Sequence, residues 1–187
     1  MATTERLLLA AEEEFAAHGF EGARLSDISG RVGISRPSLL YHFESKQELY
    51  EAVVRTAFLR LGESLTFELD GKDPFEERVA RAVEAFVDFI DARPSIARLL
   101  VRDVIEGRGP GHAIILESGV PVLLTIESFI RLNGGERMRG FPVRQALMQI
   151  VCSVLMRTSA PPLRNALWGA KDESRALALK LFAGGAE

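Results

Sequence analysis

Four side chains within residues 24–49 have the chemistry needed to contact DNA. The guanidinium group of Arg36 can donate two hydrogen bonds to the O6 and N7 atoms of one guanine. Tyr41 and His42 can donate hydrogen bonds to phosphate oxygens, which position a protein on the duplex without reading its sequence. Lys46 lies beside the free backbone N–H groups at the start of a helix, and together these groups favour a phosphate. The segment therefore predicts a nucleic-acid interface.

The elements that carry these side chains have the pattern of a helix-turn-helix. The first helix of the motif is predicted from about Ser26 to Val32, and Gly33 supplies the turn. Ser35 is predicted to cap the second helix, and Pro37 occupies its first turn, where the missing N–H removes no helical hydrogen bond. We expect the exposed N-terminal end of this second helix to face the bases.

Helices before and after the motif complete the head of the chain. The preceding helix is predicted to begin at Thr3 or Thr4, either of which can act as its cap, and to end at Gly19, which can adopt a left-handed conformation. The following helix is predicted to begin with a capping box formed by Ser45 and Glu48. This helix would join the head rigidly to the remainder of the chain.

The remainder of the chain is also predicted to be helical. Asp73 is expected to cap a helix whose first residue is Pro74, and Pro121 is expected to kink or restart a later helix. Because no stretch has the alternating pattern of a β-strand, the fold class is all-α, with about nine helices. The predicted domains are a helix-turn-helix domain at 1–46 and a helical domain at 47–187. Apolar periodicity places the helices of the second domain at about 74–92, 95–106, 113–133, 142–157 and 172–183.

The charge of the chain argues against a strong bulk attraction to DNA. The net charge is −3, and residues 1–50 contain five basic and eight acidic side chains. Residues 24–46 contain four bases and two acids, so the reading face is locally positive if the acids of the first helix point away from it. Glu12, Glu13 and Glu14 are interpreted as a solvated acidic face of that helix. We expect modest non-specific affinity, because few phosphates are neutralised.

Composition also narrows the function classes. Cys152 is the single cysteine, which leaves no pair for an internal disulfide and suits a reducing cytoplasm. It is expected to pack as a small hydrophobic residue, with a redox role as the minor alternative. The N-terminus lacks a signal-peptide cleavage site and the apolar runs fall short of a membrane span, so no membrane partner is expected. No catalytic residues, metal-ligand cluster or cofactor-binding motif is recognised, so the chain is not predicted to be an enzyme.

Residues 5–50 resemble the DNA-binding head of the TetR family of bacterial transcriptional regulators. The rest of the chain resembles the family only in outline, as amphipathic helices of suitable length. Three positions depart from the family pattern: Arg24 replaces a threonine, Ser29 an alanine and Leu40 a tyrosine. Because Arg24 cannot accept a hydrogen bond, Ser26 is expected to cap its helix instead. The matching residues are Phe15, Gly19, Phe20, Asp27, Ile28, Gly33, Ile34, Ser35, Leu39, Tyr41, His42, Phe43, Ser45, Lys46, Glu48 and Leu49.

The resemblance implies a cytoplasmic homodimer that binds a palindromic double-stranded DNA operator and responds to a small-molecule effector. The simplest version is a repressor that an inducer releases from DNA. The implied DNA contacts are Arg24, Ser26, Ser35, Arg36, Pro37, Ser38, Leu40, Tyr41, His42 and Lys46. The implied effector pocket comprises Phe86, Arg98, Arg102, Glu127 and Arg131. The implied dimer interface comprises Val143, Leu147, Ile150, Val151, Val154, Leu177 and Leu181.

Two other classes of protein fit the same chain. One is an all-α enzyme or small-molecule carrier with a vestigial head, which would need convergent acid–base residues in the body. The other is a helical protein-interaction or small-molecule-binding module whose DNA binding has degenerated, and the acidic head favours it. A salt-dependent complex with a selected palindrome distinguishes the regulator from both.

Overall fold

A computed structural model describes residues 2–183, which fold into helices joined by short turns. The helices are α1 Thr3–Gly22, α2 Leu25–Val32, α3 Arg36–His42, α4 Lys46–Leu69, α5 Phe75–Asp91, α6 Pro94–Glu106, α7 Pro110–Asn133, α8 Val143–Ser159, α9 Arg164–Trp168 and α10 Ser174–Ala178. No β-strand occurs within 2–183, and the all-α prediction is confirmed. The described residues form ten helices against about nine predicted, and the short α9 is the one that the sequence analysis does not predict. Residues 1 and 184–187, the ends of the predicted domains, lie outside the described residues.

The head consists of α1, α2, α3 and the first turns of α4, which enclose a shared core. Phe15, Leu39 and Tyr50 are at most 1% exposed. The ring of Tyr50 packs edge-on against Phe15 and Phe20, with centroid distances of 4.8 and 5.3 Å, which is a favoured aromatic geometry. Burial of these large side chains holds α3 on the head, and so determines which side chains of α3 face outward.

The two predicted serine caps of the head form. The hydroxyl oxygen of Ser35 accepts the N–H of Ser38 at 3.2 Å, and that of Ser45 accepts the N–H of Glu48 at 3.0 Å. The carboxylate of Glu48 reaches back to the N–H of Glu44 rather than to that of Ser45. These contacts satisfy N–H groups that have no partner within their own helix, so the starts of α3 and α4 are set by the sequence nearby.

Two other caps predicted for the head are wrong. Ala2 occupies the N-cap of α1, so the two threonines proposed as caps lie at or inside the first turn. Arg24 occupies the N-cap of α2, which begins one residue before Ser26, and no side chain caps it. The hydroxyl of Ser26 donates instead to the carboxylate of Asp27 at 3.3 Å. Packing against the head core therefore determines where these two helices begin.

α1 is interrupted at Gly19, where the sequence predicts its end, and one further helical turn follows as far as Gly22. Gly19 has φ 72° and ψ 175°, a conformation that is essentially restricted to glycine. A Cβ atom at this position would lie 2.8 Å from Nη1 of Arg102, a residue of α6. The glycine is required both by the backbone and by the close approach of the body.

The body begins with two corrections at prolines. Asp73 does not cap α5 but accepts a hydrogen bond from Arg81 at 2.9 Å, and Pro74 takes the N-cap position. Pro94 lies in the first turn of α6 rather than before it. Both prolines lie at the start of a helix, where the missing N–H removes no helical hydrogen bond. The predicted helix positions in the body are otherwise close to the observed ones.

The sequence predicts a kink or a restart at Pro121. The structure has a π-helical turn of α7 at Ile115–Gly119, just before this proline. Gly119 lies against the ring of Phe58, where a Cβ atom would be 2.8 Å from the ring. An 18-residue window of α7 has mean hydropathy 1.7 and is 17% buried, so length and composition alone would allow a membrane span. The expectation that the apolar runs are too short is thereby corrected. This indication of a membrane span is weak, because a helix beside an apolar cavity needs the same composition.

The acidic face proposed for α1 is mostly not solvated. Glu12 is 5% exposed and forms an ion pair with Arg93, at the junction of α5 and α6. Glu14 is 2% exposed and accepts a hydrogen bond from Arg31 of α2 at 3.0 Å. Only Glu13 extends into solvent, with a side chain that is 71% exposed. Two of the three carboxylates therefore hold α1 to its neighbours, since a buried charge requires a partner.

Candidate nucleic-acid interface and body cavity

α3 presents one apolar edge to the head core and one polar edge to solvent. Leu39 is fully buried, whereas Arg36, Ser38, Tyr41 and His42 are exposed. Tyr41 is 88% exposed, and its ring lies edge-on to that of His42 with a centroid distance of 5.7 Å. Core packing does not account for an aromatic side chain in this position. The exposed edge of α3 carries three of the four side chains with suitable chemistry for DNA contact, Arg36, Tyr41 and His42, and the fourth, Lys46, begins α4.

The arginines of the head have different roles. Arg31 is held by Glu13 and Glu14 and is not available to a ligand. The side chains of Arg36 and Arg24 have no hydrogen bond or ion pair with the part of the chain that the structure describes. An unpaired guanidinium at the start of α3 can form the bidentate hydrogen bonds that specify guanine. The local geometry thus supports a base-reading role for Arg36.

Lys46 has a structural contact that sequence reasoning did not anticipate. Its ammonium group donates to the carbonyl oxygens of Glu21 and Ala23, at 3.1 and 3.4 Å, and lies 4.8 Å from the centroid of the Phe20 ring. A cation stabilises the C-terminal end of a helix, here α1. A phosphate contact by Lys46 remains a prediction, and it would use the one ammonium proton that these two bonds leave.

The other side chains predicted to contact DNA differ in exposure and in their contacts. Ser26 and Pro37 are exposed. The hydroxyl of Ser35 is engaged with that of Ser38 at 2.8 Å, so its first role is the cap of α3. Leu40 is half-buried and packs against the head core, which leaves only part of its side chain for a thymine methyl group.

The body encloses a cavity of about 400 Å³ between α4, α5, α6, α7 and α8. Its volume is within the range of small-molecule sites in proteins. None of the side chains that line it carries a charge, a hydroxyl or an amide. Of the residues predicted for an effector pocket, Phe86 belongs to this wall. Other wall residues are Leu61, Leu123, Ile126 and Val151.

A shallower concavity adjoins the rim of the cavity, between α6 and the end of α8. It contains Arg98 and Arg102, two further residues predicted for an effector pocket. Val101 and Ile105 border both spaces, so the concavity and the cavity are neighbours along α6. Glu106 and Ser159 complete its lining.

The remaining two predicted pocket residues lie elsewhere. Glu127 and Arg131 line neither space. The carboxylate of Glu127 accepts hydrogen bonds from Arg144 at 2.7 Å and from Arg131 at 2.9 Å, and both bonds lower its pKa. These three side chains form an ion-pair cluster that joins α7 to α8, and nothing in their arrangement suits them to an effector.

A buried polar contact links the head to the body. The hydroxyl of Tyr50 lies 2.7 and 2.8 Å from the two carboxylate oxygens of Asp103, on α6. Burial raises the pKa of the Asp103 carboxyl, and the hydrogen bond from Tyr50 offsets part of that rise. Gly111 lies against this carboxylate and leaves no room for a Cβ atom. The sequence analysis does not predict this contact. The sequence indicates it only by the charged Asp103 beside Leu99 and Leu100 in the apolar stripe of α6.

The side chains predicted for a dimer interface differ in exposure. Val151 and Leu181 are half-buried, and Leu177 is 41% exposed. The four others are at most 8% exposed and pack in the core of their own protomer, so they have little surface to offer a partner. These four are Val143, Leu147, Ile150 and Val154.

The exposed face of α8 carries a different set of residues. Met148 and Met156 are 38% and 44% exposed, and Cys152 between them is also exposed. The expectation that Cys152 packs in the interior is therefore wrong, because it falls on the outer face of the helix. Gln145 and Gln149 extend the same face at helical spacing.

Comparison with known proteins adds independent information about the head. Residues 7–53 match the family model described as bacterial regulatory proteins, tetR family. The HTH-type transcriptional activator FasR from Mycolicibacterium smegmatis is 40% identical over 86 residues, which are 46% of this chain and 39% of FasR. The uncharacterized HTH-type transcriptional regulator YdgC from Bacillus subtilis is 32% identical over 100 residues, which are 51% of each chain. The chain spans about half, or less, of the length of these curated relatives.

The similarity to solved structures extends over the whole chain. The transcriptional regulator FadR from Bacillus subtilis, solved in complex with stearoyl-CoA, superposes with a TM-score of 0.72. The superposition covers 97% of this chain and 99% of that one, with 14% sequence identity. At this identity the likeness establishes the fold of the body and nothing finer.

Proposed function

We propose that the chain is a DNA-binding transcriptional regulator of the TetR family, because residues 7–53 match the model of that family and the chain superposes on the fold of the regulator FadR. The observation that carries this proposal is the exposed edge of α3, where Arg36 has no partner within the described chain and stands beside Tyr41 and His42. Side chains of these types at the start of a recognition helix suit base reading and phosphate contact. We assign DNA reading to residues 1–46.

We propose that the chain acts as a cytoplasmic homodimer. A recognition helix of seven residues reads a short half-site, and two heads on an inverted repeat supply the affinity and specificity that one lacks. The exposed apolar face of α8, with Met148 and Met156, and the exposed Leu177 of α10 are the surfaces that we assign to the partner copy. Closed two-fold symmetry is the commonest arrangement for such assemblies.

We assign ligand binding to residues 47–187, because the apolar cavity in this body is large enough for a small molecule. A ligand that binds one arrangement of the heads better than another shifts the population toward the arrangement that it prefers. The coupling free energy between ligand and DNA binding is typically about 1–3 kcal/mol. We propose repression relieved by the ligand. FasR is described as an activator, so the direction of regulation needs a reporter assay with and without ligand.

The DNA-binding proposal is tested by selecting bound sequences from random duplex DNA with the purified protein. We expect an enriched inverted repeat. Arg36→Ala should bind the same repeat more weakly by about 1–3 kcal/mol and lose preference at one base pair in each half-site. Arg139→Ala, which removes an arginine that is 79% exposed on the body, is the matched control and should leave the enriched sequence unchanged.

The alternative is a helical interaction or small-molecule-binding module without DNA binding. It is favoured if the selection enriches no sequence at low salt and if Arg36→Ala and wild type bind duplex DNA equally weakly. The net charge of −3 keeps this alternative relevant, because it gives the chain little bulk attraction to DNA.

A further inference from the structure

Resting on the ligand response proposed above, we propose that the effector is an amphipathic anion. A single hydrocarbon chain would occupy the body cavity, and an anionic end would bind at Arg98 and Arg102. The same anion would compete for an arginine that holds the head to the body.

The lining of the cavity determines the chemistry of the inserted part. Because no lining side chain carries a charge, a hydroxyl or an amide, a polar group inside would lose its hydrogen bonds to water without replacement. That loss costs several kcal/mol or more for a charged group, and about 1–3 kcal/mol for a neutral one. Only hydrocarbon can fill the space without this cost.

The length of the cavity wall on α4 bears on the form of the inserted part. Its wall on α4 extends from Phe58 to Leu69, which is about 16 Å at the helical rise of 1.5 Å per residue. A wall of this length suits an extended hydrocarbon chain.

The opening of the cavity places a charged end at α6. The cavity meets solvent on two sides: Val104 and Ile105 of α6 are 63% and 76% exposed, and Met148 and Met156 of α8, which also line it, are 38% and 44% exposed. The α8 side belongs to the surface that we assign to the partner copy, which leaves the α6 side for entry. Arg98, Val101, Arg102 and Ile105 recur at helical spacing, so the two arginines flank the rim along one stripe. A chain that enters here leaves its end group beside both guanidinium groups.

The concavity has a net positive charge and its arginines are not neutralised. Arg98 donates only a long hydrogen bond, 3.4 Å, to the hydroxyl of Ser95, and Arg102 donates to a backbone carbonyl. Neither forms an ion pair with a carboxylate among the described residues. Glu106 is the one acid in the lining, against two arginines. A carboxylate or phosphate is the end group that such a site binds best.

Arg102 connects this site to the head. Its guanidinium donates to the carbonyl oxygen of Phe15 at 3.3 Å, and its Nη1 atom lies close to Gly19, at the kink of α1. An anion at the concavity draws the same guanidinium toward itself, so ligand binding removes a contact between α6 and α1. The ligand site and the orientation of the head are thereby coupled through one side chain.

The proposal is tested by calorimetric titration of the full-length protein, without DNA, with saturated carboxylates of ten to eighteen carbons. We expect affinity to rise about fourfold for each added methylene that enters the cavity, which follows from about 0.8 kcal/mol per buried methylene. The matching alcohols should bind more weakly than the acids. A parallel series of coenzyme A thioesters determines whether the anion is a free carboxylate or a phosphate-bearing carrier.

Two variants locate the two parts of the ligand, and a third tests the coupling of ligand binding to DNA binding. Arg98→Gln with Arg102→Gln should remove the preference for acid over alcohol, while Arg139→Gln, the matched control, retains it. Val83→Phe, which fills part of the cavity, should weaken long chains more than short ones. In Arg102→Gln at saturating ligand, the ratio of DNA affinities with and without ligand should move toward one.

Equal binding of acids and alcohols, or affinity independent of chain length, contradicts the proposal. So does a ligand effect on DNA affinity that Arg102→Gln leaves unchanged. The ligand titration is done without DNA and the DNA selection without ligand. Failure of this inference can therefore be distinguished from failure of the proposed DNA-binding function. A protein that selects a palindrome but binds no amphiphile overturns this inference and leaves the proposed function standing.

Discussion

At the scale of single residues, the charged side chains of this protein fall into two groups, one exposed and one buried against partners. Arg36 stands exposed and unpaired within the described chain, whereas Glu12, Glu14 and Asp103 are buried with partners. The sequence predicts the exposed position of Arg36, because it follows from the local pattern of a capped helix. It does not predict the buried carboxylates, because their partners are far away along the chain: 53 residues separate Asp103 from Tyr50.

The contact between Tyr50 and Asp103 predicts an unusual dependence of stability on pH. Burial raises the pKa of Asp103 in the folded state above its value in the unfolded chain, so the folded state binds more protons between the two values. The stability contributed by Asp103 is fully present below its unfolded pKa and is lost as the pH rises through the folded pKa. An asparagine side chain in place of this carboxyl group would not titrate and can still accept the hydrogen bond of Tyr50.

Asp103→Asn should therefore stabilise the fold at neutral pH, by about 1.4 kcal/mol for each unit by which folding raises the pKa of Asp103. The gain should shrink as the pH is lowered toward about 4. Urea unfolding at a series of pH values measures it. Asp88→Asn, at an exposed carboxylate, is the control for the change in net charge. A gain from Asp103→Asn that grows on acidification contradicts the assignment.

At the scale of elements, local sequence determines some helix ends and tertiary packing determines others. Ser35 and Ser45 form the predicted caps because their own helices supply the N–H groups. Asp73 does not cap α5, because Arg81 competes for its carboxylate. The kink of α1 at Gly19 is likewise a tertiary feature, since it brings the head within reach of Arg102. Apolar periodicity predicts the positions of the helices well, and their junctions less well.

A pair of glycines in the head provides a matched test of this kink. Gly19→Ala should destabilise the protein by about 1–3 kcal/mol, because the backbone there is essentially restricted to glycine and the new methyl group displaces Arg102. Gly30→Ala lies inside α2 with open space around it, and should be neutral or stabilising by up to about 1 kcal/mol. Denaturant unfolding of both variants measures the difference. Equal changes in the free energy of unfolding for the two variants would mean that the kink at Gly19 does not require glycine.

At the scale of the whole molecule, α6 joins the apolar cavity of the body to the helix-turn-helix head. One face of α6 lines the cavity, and another contacts α1 and α4 through Arg102 and Asp103. The sequence predicts the long amphipathic helices of the body but not the short α9. It does not predict the cavity, because a stripe of leucine and valine has the same composition whether it closes a core or borders a space. The predicted dimer residues illustrate this, as Val143 and Val154 close the core of their own protomer.

The central claim, that two heads of this protein read an inverted repeat, is tested most directly by one comparison of affinities. Fluorescence anisotropy compares the selected repeat with the same duplex in which one half-site is scrambled. Scrambling should weaken binding by at least about a hundredfold, because each mismatched base pair costs about 1–3 kcal/mol. Equal affinity for the intact and the half-scrambled duplex would contradict paired reading of DNA by this protein.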